Sequence, residues 1–265
     1  MQFFFSLHPV MQAFLASLLM FLFTSLGAVA VFGSKKMPSS LLTLLTGGAA
    51  GIMVAASFFS LLLPALEYES ALPSYVTVTL GFALGGAFIL LSDRILTRTR
   101  GRFFLAAERG EADRANGERG AKCTLLYFAV LLHNIPEGLA VGVAFAEGAA
   151  GAGALLLAFG IAVQNFPEGM CVAFPLRAKG MTPLRSFLFA VGSGAVEIPA
   201  CLVGVLAAGA DAGLMPWALS FSAGAMIAVV CSELIPECFS GSKALATSGI
   251  VLGFCIMMLL DVALS

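Results

Sequence analysis

The chain has 265 residues, of which 60% are hydrophobic and 11% are charged, whereas about 25% of the residues in a typical soluble domain are charged. A net charge of −1 excludes the strong basic attraction on which nucleic-acid binding depends, so no nucleic-acid partner is predicted. The six cysteines form no CxxC pair, and neither a disulfide framework nor a thiolate metal site is predicted.

Eight apolar segments are long enough to cross a bilayer, which requires about 20 residues of helix. We therefore predict an all-α, polytopic membrane helix bundle with eight transmembrane helices in a single transmembrane domain, residues 1–265. The first span is expected to be retained because no Lys or Arg precedes it and its apolar run is too long for a signal peptide. The predicted spans are 9–32, 40–66, 73–96, 122–146, 152–176, 183–209, 214–239 and 242–264.

The connections between the spans carry their charges asymmetrically. All fourteen Lys and Arg residues fall in the connections after spans one, three, five and seven or at the span ends beside them. The connections on the opposite side contain the acids Glu67, Glu69, Glu147 and Asp211 and no Lys or Arg. Because cytoplasmic loops retain Lys and Arg, both termini are predicted to lie outside the cytoplasm of a plasma, or bacterial inner, membrane. The longest connection, 97–122, is predicted to be a flexible cytoplasmic linker between three spans and five.

Spans four and five each contain a copy of one polar motif. Residues His133 to Val141 match Gln164 to Val172 at five of nine positions, including the Asn, Pro, Glu and Gly of each copy. The two spans are antiparallel and joined by a short connection, and counting 1.5 Å per residue from it places both motifs near the middle of the bilayer. The sequence therefore predicts a pseudo-symmetric hairpin of spans four and five.

Glu137 and Glu168 lie in these motifs without a Lys or Arg in any span core to neutralise them. Carboxylates at this depth are costly, so the compensating charge must be a proton or a cation. A divalent ion shared by both glutamates, with His133 and Gln164 completing its shell, satisfies this requirement. A mixed nitrogen and oxygen donor set suits Zn²⁺ or its neighbours rather than Ca²⁺.

Further polar residues extend the predicted site. Glu197 in span six is expected to complete a second ion position with Asn134, Asn165 and the two bridging glutamates. Ser57 and Ser60 are expected mainly to bond to the backbone, although they and the acids Glu233 and Glu237 are candidates to line the ion's route. His8 is expected at the membrane interface, and Asp93 and Asp261 are expected in water at span ends.

The paired motifs, with Glu197 and the Glu-Leu-Ile-Pro-Glu run of span seven, resemble the ZIP family of metal transporters, specifically its GufA-like branch. The resemblance covers essentially the whole chain. It implies uptake toward the cytoplasm through a binuclear site, with an elevator-type or rocking motion of some spans against the others. It assigns the first ion to His133, Glu137, Gln164 and Glu168, and the second to Asn134, Glu137, Asn165, Glu168 and Glu197. Many members carry His where this chain has Gln164.

The predicted function is transport of a divalent transition metal ion, with Zn²⁺ as the transported substrate and no organic cofactor. A carrier of broader specificity for Fe²⁺, Mn²⁺ or Cd²⁺ is an alternative of the same fold. An intramembrane zinc-dependent hydrolase is disfavoured because the chain has two histidines and no HExxH motif. A proton or organic-solute carrier would be recognised by metal-independent transport. The partners expected are metal ions and the lipid bilayer, and a homodimer is left open.

Overall fold

In a computed structural model of the chain, residues 2–34, 38–68, 72–106, 131, 134–146, 152–178 and 181–264 are described. All regular secondary structure in these ranges is helical. Seven segments within them are long and apolar enough to cross a membrane, and they coincide with predicted spans one to three and five to eight. These segments are Pro9–Gly33, Ser39–Glu67, Ser74–Ile95, Gly153–Arg177, Pro183–Ala210, Met215–Phe239 and Lys243–Ala263.

The predicted fourth span, 122–146, falls only partly within the described residues. Residue 131 and a helix at 134–146 are described, and this helix carries Asn134 and Glu137 of the first motif. The remainder of that span, including His133, lies outside the described residues. The multi-pass helical architecture is therefore confirmed, while the full length of the fourth span stays a prediction.

The helices are numbered here in chain order. They are α1 Gln2–Phe5, α2 Pro9–Gly33, α3 Ser39–Ala56, α4 Leu63–Glu67, α5 Ser74–Ala106, α6 134–146, α7 Ala152–Ala178, α8 Pro183–Gly194, α9 Glu197–Ala210, α10 Met215–Val229, α11 Ile235–Phe239 and α12 Lys243–Leu264. A short 3₁₀ turn, Ala212–Leu214, precedes α10. At the start of α2, the exposed His8 accepts a hydrogen bond from the Val10 N–H at 3.3 Å and so caps the helix.

The membrane helices pack in close pairs. α2 lies against α7, α3 against α12, and α5 against α10, while α6 lies against α9 through the glycines at their crossing. α2 also contacts α8 and α9, and α3 touches α7. Glycines line these crossings, as at Gly51 against Ile250 and Gly85 against Phe221, where a Cβ atom would run into the partner backbone. Small residues allow this approach between membrane helices, whose association depends on van der Waals packing.

Three spans that the sequence predicted to be continuous are interrupted ahead of a proline. A π-helical segment, Ser57–Leu62, precedes Pro64, and another, Val230–Leu234, precedes Pro236. In span six, a turn at residues 195–196 separates α8 from α9 ahead of Pro199. Proline has no N–H and its ring clashes with the carbonyl four residues earlier, so it kinks or interrupts a helix; α7, by contrast, continues as a helix past Pro167 and Pro175. The π segments relieve the clash because the next N–H bonds five residues back, as Leu63 does to Phe58.

Span three also differs from prediction at its carboxyl end. Its apolar part, Ser74–Ile95, ends where predicted, but the helix continues to Ala106. The residues beyond 96 include Arg and Leu, which favour helix, and contain no proline. The first part of the predicted linker is therefore helical, and its remainder from 107 lies outside the described residues.

Candidate metal centre

Side chains from both motifs and from α9 form one buried hydrogen-bonded network. Gln164 Nε2 donates to Glu137 Oε1 at 2.7 Å and to Asn165 Oδ1 at 2.9 Å. Asn165 Nδ2 in turn donates to Glu197 Oε1 at 2.8 Å. Each of these four side chains is at most 1% exposed. The network joins α6, α7 and α9, and it brings the two motifs into direct contact at Glu137 and Gln164.

Four buried oxygen atoms beside this network have no hydrogen-bond partner among the described residues. They are Asn134 Oδ1, Glu137 Oε2, Glu168 Oε1 and Glu197 Oε2. An unpaired buried polar atom costs about 1–3 kcal/mol, and more where the group is charged. Such atoms are rare in native structures, and a bound water molecule or ion is one explanation for them. Their chemistry, three carboxylate oxygens and an amide oxygen, fits a divalent cation.

The glutamates alone do not make a complete ligand shell in this arrangement. Among the described residues, no three His, Cys, Asp or Glu side chains converge closely enough to hold a metal ion. Glu168 is partly exposed, whereas Glu137 and Glu197 are buried. A bound ion therefore needs further ligands, such as the amide oxygen of Asn134 or the imidazole of His133, which lies outside the described residues. Alternatively, the carboxylates must move closer together.

Glycines place the motif helices against their neighbours. A Cβ atom at Gly138 would lie 2.5 Å from the carbonyl oxygen of Glu197, so α6 crosses α9 at that acid. Gly169 lies against the backbone of Thr24 in α2. Glu197 itself is the first residue of α9, because the helix restarts after the turn at residues 195–196. A helix amino terminus carries partial positive charge, which stabilises a carboxylate there.

A second polar group lies toward the end of the bundle that holds Glu67. Ser60 Oγ donates to Asp261 Oδ2 at 2.9 Å, beside a cavity of about 350 Å³ that Glu67 also lines. Asp261 is 6% exposed, so the expectation that it is solvated was wrong. The sequence showed an acid near the end of the last span, but it did not show that Ser60 of span two would cover it. The expected backbone bond is seen for Ser57, which donates to Met53 O at 2.7 Å, and not for Ser60.

The acids of span seven lie toward the opposite end of the bundle. Glu233 is half-buried within the π segment Val230–Leu234, and Glu237 is exposed on α11. Asp93, on α5, is exposed as expected. On α7, Cys171 lies one turn beyond Glu168, and its Sγ is 3.3 Å from Thr46 Oγ1. The network of Glu137 and Glu197 thus has polar side chains on both sides of it along the bundle.

The family model for ZIP zinc transporters matches residues 108–261, more than half of the chain. The chain belongs to the ZIP family. It is 33% identical to zinc transporter ZIP11 of Xenopus tropicalis over 97% of this chain and 98% of the relative. It is 35% identical to zinc transporter GufA of Myxococcus xanthus over 94% and 97%, and 38% identical to zinc transporter ZIPB of Bordetella bronchiseptica over 91% and 77%. The predicted ZIP family is confirmed, and the family is one of transporters, so the hydrolase alternative was wrong.

Proposed function

We propose that this ZIP member carries Zn²⁺ through its helix bundle toward the cytoplasm, using the network that joins α6, α7 and α9 as its ion site. The observation that carries the proposal is the set of four buried, unpartnered oxygens of Asn134, Glu137, Glu168 and Glu197. Neutral amides donate to Glu137 and Glu197, and no basic side chain in a span core supplies the missing positive charge. A divalent ion satisfies both the charge and the unpaired oxygens. The names of the relatives support zinc as that ion.

Two adjacent ion positions are proposed within this site. The first is formed by His133, Glu137, Gln164 and Glu168, and the second by Asn134, Glu137, Asn165, Glu168 and Glu197. Gln164 and Asn165 now direct their N–H groups at the carboxylates. To bind an ion they must turn their amide oxygens toward it, so ion binding replaces these hydrogen bonds. Such an exchange allows binding that is strong enough to dehydrate the ion and weak enough to release it.

The proposed route runs between the two ends of the bundle. On the outer side, the cavity beside Ser60, Glu67 and Asp261 collects the ion, and Ser57 lies on the way inward. On the cytoplasmic side, Glu233 and Glu237 receive it. The eight-span topology, with both termini outside a plasma membrane, follows from the distribution of Lys and Arg.

The helix pairing supports a movement of two bodies. α2 packs with α7, α8 and α9, and the glycine contacts join α6 to this set, whereas α3 packs with α12 and α5 with α10. The two sets meet chiefly where α3 lies against α7, and an elevator-type or rocking motion would move one set past the other at that contact. The proposed ligands within the described residues all lie in the first set, so an ion bound there would move with it.

A broader specificity, including Mn²⁺, Fe²⁺ and Cd²⁺, is favoured by the donor types. Three of the unpartnered atoms at the site are carboxylate oxygens, and position 164 supplies an amide where many family members have His. Oxygen donors discriminate less strongly in favour of zinc than imidazole does. Flux of each ion into vesicles would rank them directly.

Uptake of ⁶⁵Zn²⁺ into proteoliposomes tests the proposal. Glu137→Gln keeps the side-chain shape but removes the charge, and we expect it to reduce uptake to the level of empty vesicles. The control is Asp211→Asn, a neutralisation at an exposed residue outside the helices, which should leave uptake unchanged. Wild-type uptake by the Glu137→Gln protein would refute the assignment of the site. Proton or solute flux that does not depend on metal would refute metal transport itself.

A further inference from the structure

Thr24 in α2 is a buried residue that contacts two of the segments bearing proposed ligands. Its side chain is 1% exposed, and its hydroxyl donates to Met20 O of the same helix at 3.3 Å. The hydroxyl is therefore satisfied within α2. Thr24 therefore contacts the neighbouring helices by packing alone. Its backbone lies against α7, and its Cβ and methyl group lie against the end of α8.

The first contact is with α7. A Cβ atom at Gly169 would meet the Thr24 carbonyl oxygen, and the Thr24 carbonyl carbon at 3.0 Å. Gly169 directly follows Glu168, whose Oε1 is one of the unpartnered buried oxygens. The backbone of Thr24 thus fixes how closely α2 approaches the residue beside this carboxylate.

The second contact is with the end of α8. A Cβ atom at Gly194 would lie 3.0 Å from both Cβ and Cγ2 of Thr24 and 3.1 Å from its Oγ1. Gly194 is the last residue of α8, and the turn at residues 195–196 separates it from Glu197. Because the regular helix is interrupted there, packing must supply part of what locates Glu197. Thr24 supplies that packing from α2.

We propose that Thr24 is a positioning residue that sets the separation of Glu168 and Glu197, and with it the geometry of the second ion position. The proposal rests on the zinc transport proposed above. Zn–O bonds are about 2.0–2.2 Å long and a working site keeps them within about 0.2 Å. A new methyl group at Gly194 requires Thr24 or the turn to shift by a few tenths of an ångström. A shift of the turn that is passed on to Glu197 would exceed that tolerance.

The test compares Gly194→Ala with Gly209→Ala, a change on α9 where nothing lies within 4 Å of the new Cβ. Initial rates of ⁶⁵Zn²⁺ uptake are measured against zinc concentration and normalised to the protein in the vesicles. We expect Gly194→Ala to raise KM about tenfold, the lower end of the effect of disturbing groups that orient metal ligands. Vmax should stay near the wild-type value, and Gly209→Ala should leave both constants unchanged.

Substitutions at Thr24 separate shape from hydrogen bonding. Thr24→Val keeps the shape and removes the hydroxyl, so KM should not change. Thr24→Ala removes both the methyl group and the hydroxyl and should raise KM, and comparison with Thr24→Val assigns that rise to the lost packing. In the double variant Thr24→Ala with Gly194→Ala, the new Cβ loses its close contacts with Cγ2 and Oγ1 of Thr24 and keeps only the one with Cβ at 3.0 Å, so KM should be lower than in Gly194→Ala alone.

The outcomes distinguish the two proposals. Zinc uptake by the wild type with equal KM values for Gly194→Ala and Gly209→Ala would overturn the positioning role and leave transport intact. A wild type that takes up no zinc would instead overturn the transport proposal. If Gly194→Ala alone does not insert, the pair Thr24→Ala and Thr24→Val decides: equal KM values overturn the positioning role, and a higher KM for Thr24→Ala supports it.

Discussion

The crossing of α6 and α9 at Gly138 permits a prediction whose size follows from the coordinates. In Gly138→Ala, the new Cβ would lie 2.5 Å from Glu197 O and 2.8 Å from Ala200 Cβ. The first distance is 0.9 Å less than the 3.4 Å at which ordinary contact begins. Because the first atom belongs to the backbone, the two helices themselves must separate, and they carry Glu137 and Glu197.

A displacement of this size is several times the tolerance of about 0.2 Å in metal–ligand distances. Glu137 and Glu197 could then no longer contribute to the second ion position with their present spacing. A misplacement of about 1 Å costs on the order of 10²-fold in activity when geometry controls a reaction. We expect zinc uptake by Gly138→Ala to fall by about that factor, with a loss of stability of about 1–3 kcal/mol from overpacking.

The assay is ⁶⁵Zn²⁺ uptake into proteoliposomes, normalised to inserted protein, with helical content checked by circular dichroism. Gly209→Ala on α9 is the matched control, because nothing lies within 4 Å of its new Cβ. Uptake by Gly138→Ala within twofold of the wild type, at equal helical content, would refute the reasoning. It would mean that α6 and α9 can separate without disturbing the ions, and hence that Glu197 does not share an ion with Glu137.

Two further predictions concern the ions themselves. Gln164→His supplies an imidazole where the chain has an amide, so the ratio of Zn²⁺ to Mn²⁺ uptake should rise. An unchanged ratio in parallel vesicle assays would show that position 164 does not contact the ion. Zinc at 100 times its Kd should stabilise the folded protein by about 2.7 kcal/mol and raise its Tm in detergent, and a chelator should reverse the rise. The Tm of the Glu137→Gln variant should rise less. An equal rise in both proteins would place the stabilising ion elsewhere.

Hydropathy and charge predicted most of the fold because the bilayer constrains both. A helix is the simplest way to satisfy the backbone in hydrocarbon, so a long apolar segment predicts a helix with its approximate ends. Seven predicted spans are found among the described residues. The continuation of α5 to Ala106 was missed because hydropathy reports where the apolar segment ends, whereas the helix ends where its propensity fails.

The part of the site that could be predicted from the sequence is the part formed by the repeated motif of spans four and five. Two copies of one motif identified Glu137, Gln164, Asn165 and Glu168, and the hydrogen bond between Glu137 and Gln164 shows that the copies meet. Asp261 was not predictable, because its burial depends on the side chain of Ser60, which is 201 positions away along the chain. A contact between distant spans depends on how each helix is rotated, and an almost uniformly apolar sequence gives little information about rotation.

The prolines that follow the helix interruptions in spans two, six and seven relate the fold to the position of the polar residues. A broken hydrogen-bond ladder at membrane depth is tolerated where it is buried in protein or lines a polar cavity. The interruptions ahead of Pro64, Pro199 and Pro236 each coincide with polar side chains: Ser60 lies in the first, Glu197 follows the second and Glu233 lies in the third. Helix geometry alone does not require polar residues at these places. Their coincidence is expected if the interruptions open the bundle toward a hydrated route, and the three prolines then trace that route through spans two, six and seven.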